Sequence, residues 1–174
     1  MADLRVDDVC AECGFRYDLT DAPAAAGDIR RLAGEVATVL RTPAHQLAER
    51  REPQLWSPLE YGCHLRDVFL VQRERVLQAR RDNGFTCATM GRDIRVEHEG
   101  YADQKPADVA RQLTDAALLF GNVLDRLGED WDNELVYSWP EPHRASLRWV
   151  AVHTVHEARH HLHDIRGQLD PSVG

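Results

Sequence analysis

Five of the chain's nine histidines fall between Val152 and Ile165, in the run His153-Thr154-Val155-His156-Glu157-Ala158-Arg159-His160-His161-Leu162-His163. On an α-helix, residues i and i+4 share a face. Two donor pairs are therefore built into one segment, His156 with His160 and Glu157 with His161. Such a pair is half of a divalent-metal site, and the remaining donors must come from elsewhere. His64, in the long helical stretch that begins at Pro58, is the best supplier. The set His64, Glu157 and His161 leaves a position for water or substrate, the open geometry of a catalytic zinc. Asp67, Arg159, His160 and Asp164 are candidates for the hydrogen bonds that would orient those ligands. The plainer alternative is a set of hydrogen-bonded core histidines, or a cationic helix end favoured by the dipole.

Periodicity chooses between the two pairs. With Leu147 at zero and about 100° per residue, Ala151, Ala158, Leu162, Ile165 and Leu169 cluster within about 60° of it. On that wheel His161 lies about 70° and Glu157 about 110° from the cluster, at the border of the core. His156 and His160 lie about 150° to 170° away, facing solvent or another partner. A bend or π-bulge would rotate this assignment, so the frame His156/His160 stays open.

Four helices must position these donors. Ile29, Leu32, Val36 and Leu40 recur at helical steps over 23–40, with Pro23 in the first turn. The next helix has Ser57 as N-cap, Pro58 at its first position and Glu60 completing a capping box, and runs to about Arg80. A long connection to Lys105 follows, and then a helix from Pro106 through Val109, Leu113, Phe120 and Leu124. Leu135 to Trp139 reads as locally extended, and Ala145 or Ser146 opens the last helix, which reaches about Leu169. The expectation is an all-α fold, a four-helix bundle over residues 21–174 preceded by an irregular arm at 1–20.

The totals narrow the partners. At 174 residues the chain suits one domain with a real core. A net charge of −8 argues against a phosphate-backbone partner, so nucleic acid is excluded. No apolar run has the length of a membrane span and no leader precedes a cleavage site, so a cytoplasmic protein is expected. Bundles with exposed apolar helix faces commonly pair, which makes a homodimer a further expectation.

Four cysteines, Cys10, Cys13, Cys63 and Cys87, are too few and too irregular for a disulfide framework. Cys10-x-x-Cys13 is half of a structural zinc set, whose other ligands would be His or Cys from the fold, Cys87 included. An ordered knuckle with free thiols is the simpler reading. Cys63 belongs to the core. Trp56, Trp131, Trp139 and Trp149 read as packing residues, with Trp131 or Trp139 a candidate for the substrate mouth. His45, His98 and His143 stand in polar surroundings and read as surface, while His153 and His163 fit neither inward pair.

The segment Trp56-Ser57-Pro58-Leu59-Glu60-Tyr61-Gly62-Cys63-His64-Leu65-Arg66-Asp67-Val68 resembles the second helix of the DinB/YfiT-like family. His156-Glu157, His160-His161 and Asp164 resemble the other half of that family's motif, and the arm through Gly14-Phe15 is similar to that of an actinobacterial subgroup. The resemblance implies a four-helix bundle holding a divalent metal, zinc or nickel, by one histidine of the second helix and two residues of the fourth. Most members place histidine where this chain has Glu157; mycothiol-dependent relatives resemble the His/Glu/His set. It further implies thiol S-transfer or isomerisation with a low-molecular-weight thiol such as mycothiol or bacillithiol and a small-molecule substrate, for which Arg159, Arg148 or Tyr61 are candidate carboxylate contacts. The rivals are a different small-molecule tailoring reaction on the same fold, and a non-catalytic metal-binding or stress protein.

Overall fold

The computed structural model describes residues 9–42, 45–138 and 141–169. Among the described residues 68% are helical, 3-10 turns included, with five α-helices and one small sheet. Helix α1 spans Ala25–Leu40, α2 Pro58–Arg81, α3 Arg92–His98, α4 Pro106–Leu124 and α5 Leu147–Leu169. The four long helices lie where periodicity places them. Pro23 sits in a 3-10 turn, Leu19–Ala24, rather than in α1 itself. The short α3 lies within the long connection.

Capping explains the sharp start of α2. Ser57 Oγ accepts from the Glu60 N–H at 3.2 Å, and Glu60 accepts from the Ser57 N–H at 2.7 Å. Arg50 then pairs with the Glu60 carboxylate at 2.6 Å, tying the preceding loop to the cap. In α1, Ile29, Leu32, Val36 and Leu40 are buried; in α4, Val109, Leu113, Phe120 and Leu124 are. These stripes pack α1 against α4 and α5, and α4 against α2. At Gly62 a Cβ would stand 2.6 Å from Leu40 Cδ1, so the glycine lets α2 approach α1 two residues before His64.

The all-α expectation is corrected by a three-stranded sheet, β1 (Thr86–Cys87), β2 (Glu134–Tyr137) and β3 (His143–Ser146). β1 pairs parallel with β2 through Thr86↔Val136, and β2 antiparallel with β3 through Leu135↔Ala145. Strands this short hold too few residues for a period-two signal, and β1 finds its partner only through the fold. Of the three, only β2 is legible, from its extended Leu135–Tyr137 stretch.

The connection between α2 and α4 is held by a buried polar network. Asp67, 3% exposed, accepts from Tyr101 Oη at 2.5 Å and from Arg66 Nε at 2.7 Å. Arg66 Nη1 also donates to Gln104 at 2.7 Å and Gln112 at 2.8 Å. Among the described residues, no helix is long and apolar enough to cross a membrane.

Because the cap fixes the first turn of the helix that carries His64, Ser57→Ala should lower stability by about 1 kcal/mol. A urea midpoint displaced downward with an unchanged slope is the expected reading; an unmoved midpoint would show the cap to be dispensable.

Candidate metal centre

His64 from α2 meets Glu157 and His161 from α5, all three buried and with donor atoms within 4.8 Å of one another. Glu157 Oε2 lies 3.9 Å from His64 Nε2 and 3.6 Å from His161 Nε2. The two imidazole rings meet edge to face at a centroid distance of 5.0 Å. Tetrahedral ligand atoms at about 2 Å from an ion are about 3.3 Å apart, so the Glu157–His161 and Glu157–His64 separations exceed that edge by about 0.3 and about 0.6 Å.

Among the described residues, neither ring nitrogen of the 2%-exposed His64 has a hydrogen-bond partner, although both are buried. Buried polar atoms are normally satisfied, and an unpaired one calls for an explanation. A cation between Nε2 and Glu157 accounts for one of the two nitrogens. Trp56 packs on the His64 ring at 5.0 Å, and Tyr61 on the His161 ring at 5.1 Å, fixing both orientations.

Protonation follows from the surroundings. Burial pushes the His64 pKa down, only partly offset by the Glu157 carboxylate, which favours the neutral ring with one nitrogen lone pair free to bind a cation. Burial alone would raise Glu157, but the facing His161 and His64 imidazoles outweigh it and hold the carboxyl well below its ordinary range. His161 is pulled down by burial and pushed up more strongly by Asp164 and Glu157, to about 9. Without a cation, then, His161 and Glu157 form an ion pair, and a metal entering there displaces the His161 proton.

Asp164 is the orienting partner expected of it. Its Oδ2 lies 2.8 Å from His161 Nδ1, which leaves Nε2 directed at Glu157. The other three candidates for that role do not contact the donors in this way. Asp67 is spent on Tyr101 and Arg66, Arg159 is exposed with its guanidinium over Phe15, and His160 faces Cys10 and Glu12.

Two concavities flank the three donors. One, of about 430 Å³, is lined by His64 and Glu157 together with Gln72, Arg75, Arg92 and Tyr137. The other, of about 290 Å³, is lined by His161, Asp164, Trp56, Tyr61 and Glu12. Arg92 and Asp93 belong to both walls. Of the carboxylate contacts suggested by sequence, Tyr61 lines the second concavity, whereas Arg148 pairs with Asp132 and lines neither.

Several site residues escape a sequence reading. Arg75 looks like an ordinary exposed helix charge, and Arg92 lies in the connection. His153 has a signal that could have been used, since it stands four residues before Glu157 and extends the ladder to three rungs. Its Nε2 is 3.7 Å from Glu157 Oε1, its ring stacks on Trp149 at 4.4 Å, and burial lowers its pKa. Trp131 packs under Arg148, while Trp139 and the His45 side chain lie outside the described residues. His98 is exposed, as its surroundings suggest; His143 is half-buried against Tyr137.

Of the two surroundings open to the second pair, solvent or another partner, the fold supplies the latter. His156 is 1% exposed and His160 half-buried, because the N-terminal arm covers the face that α5's own apolar pattern leaves outward.

The model of the DinB superfamily matches residues 28–165, and the chain belongs to that superfamily. No curated protein and no solved structure matches the chain.

Asp164→Asn should weaken any His64-dependent binding of a divalent metal by about 10–100-fold, since ligand-orienting partners commonly carry that much. Competition against a chelator reads the change; an unaltered affinity would remove Asp164 from any orienting role.

Proposed function

We propose that this chain is a metal-dependent enzyme of the four-helix-bundle type, in which His64, Glu157 and His161 hold a divalent cation, zinc or alternatively nickel. The reaction is the activation of a low-molecular-weight thiol, mycothiol-like, for S-transfer to or isomerisation of a small substrate. The observation that carries this reading is the orphaned, buried imidazole of His64 beside an anionic Glu157, at the wall of a cavity of about 430 Å³. Three protein donors leave a coordination position for a substrate atom, unlike the closed set of a structural site.

A divalent ion in such a site lowers the pKa of a thiol, ordinarily near 8.5, and so raises the fraction of nucleophilic thiolate at neutral pH. The chain's own residues supply the rest. His64 offers a neutral nitrogen, Glu157 a negative charge, and Asp164 fixes the His161 ring. Arg75 and Arg92, in the cavity wall, give positive charge for a carboxylate-bearing substrate, and Trp56 and Tyr61 shield the donors from water. Two concavities sharing Arg92 suit two reactants brought together across the donor set.

His64→Ala should lose the metal of this site and reduce metal-dependent conjugation of a thiol to a generic electrophile by at least about a hundredfold, because even orienting partners cost up to that. Helical circular dichroism should be retained. Metal binding that depends on His64 without any thiol conjugation would sink the transferase reading and leave the metal site. Equal metal content in wild type and variant would sink both.

A further inference from the structure

Directly behind the donor set, on the neighbouring face of α5, four further ligand atoms converge. Cys10 and Cys13 of the N-terminal arm meet His156 and His160 of α5, with all four donors within 4.8 Å of one another. Cys10 Sγ and His160 Nδ1 are 3.6 Å apart although 150 residues separate them in sequence. The sulfur–nitrogen edge of a zinc tetrahedron, with bonds of about 2.3 and 2.0 Å, is about 3.5 Å. We propose that Cys10, Cys13, His156 and His160 bind a structural zinc ion that staples the N-terminal arm onto α5.

Each part of the cluster is built for that role. The arm folds as a knuckle: Cys10 N–H donates to the Phe15 carbonyl and Gly14 N–H to the Cys10 carbonyl, each at 2.8 Å. Gly14, at φ +66°, makes the left-handed reversal straight after Cys13. Val9 and Arg16 then pair across the base. The result presents two thiols with two residues between them, and the helix presents two imidazoles with three residues between them. Both spacings are those of Cys₂His₂ zinc sites.

The second observation is His156 itself. It is 1% exposed, and its Nε2 is buried without a hydrogen-bond partner among the described residues. Its Nδ1 is taken by Tyr17 Oη at 2.8 Å, so Nε2 is the atom free to ligate. His160 is arranged the opposite way. Its Nε2 lies 3.1 Å from Glu12, leaving Nδ1 to face Cys10. Both imidazoles are thus oriented through their other nitrogen, as metal-bound histidines usually are.

Four protein donors fill a tetrahedron and leave no place for substrate, so this ion has no catalytic vacancy. Two thiolates with two imidazoles select zinc over the harder divalent ions. The staple also reaches the open site. With Nε2 of His156 on the ion, its Nδ1–H donates to the Tyr17 oxygen, and the Tyr17 hydroxyl is left to donate to His153 Nδ1 at 2.8 Å. Glu12 of the arm lines the smaller concavity, and Tyr17 of the arm touches His153, an α5 residue in the wall of the larger one.

The test uses the untagged full-length chain loaded with cobalt(II) or zinc. The cobalt protein should show a thiolate-to-cobalt charge-transfer band and the intense visible bands of tetrahedral coordination. That signature should persist in His64→Ala and in Cys63→Ser/Cys87→Ser, and vanish in Cys10→Ser/Cys13→Ser. Elemental analysis should find one zinc ion per chain fewer in Cys10→Ser/Cys13→Ser, while its His64-dependent metal is kept. Absence of the charge-transfer band from the wild-type protein, which needs no variant to fold, would overturn the proposal. So would equal zinc in wild type and the Cys10/Cys13 variant, or a Cys10–Cys13 disulfide in protein purified under reducing conditions.

Discussion

A carboxylate sunk in a helical core must have positive or hydrogen-bonding company, because its charge cannot be left alone in a medium of low polarity. Glu157 is that carboxylate, 8% exposed near the middle of α5. Its company is three imidazoles, His64 across the interface with α2 and His153 and His161 one turn away on either side. The geometry of the site follows from satisfying this one charge. The α2–α5 packing supplies His64, Asp164 sets the ring of His161, and the aromatic rings of Trp56 and Tyr61 close over the donors.

The rest of the fold holds α2 and α5 in the register that this arrangement needs. The capping box and the Arg50–Glu60 pair fix where α2 begins, six residues before His64. The close approach at Gly62 seats that same turn against α1. On the far side, the Asp67–Tyr101–Arg66 network ties down the connection that carries Arg92 into the cavity wall. The small sheet performs the equivalent task for Tyr137, whose hydroxyl meets Gln72 at 3.2 Å. Loops and sheet therefore shape the concavity, while two helices carry the donors.

A single helix serving two donor sets is a consequence of its pitch. The pairs His156/His160 and Glu157/His161 are offset by one residue, which is about 100° around the axis. One pair borders the α2 interface and the other turns toward the N-terminal arm. Their adjacency brings Tyr17, held by the arm, within hydrogen-bonding distance of histidines on both sides.

Much of this was written locally. The four long helices are legible because apolar residues recur at helical steps and because Ser57-Pro58 and Pro106 mark starts. The choice of Glu157 and His161 as the inward pair follows from their angle to Leu162 and Ile165, and the link to His64 from the family motif. What periodicity could not show was decided by contacts between distant segments. β1 has no pattern of its own and exists through pairing with β2. Arg75 and Arg92 acquire meaning only as parts of one wall. His156 reads as outward because a wheel measures only the helix's own apolar side, and it is buried because residues near position 15 fold back over it. The sequence by itself set the helices, the donor types and their spacing, since these are short-range properties of the chain. Tertiary structure alone decided which donors meet and what covers them, since that depends on close packing between segments up to 150 residues apart.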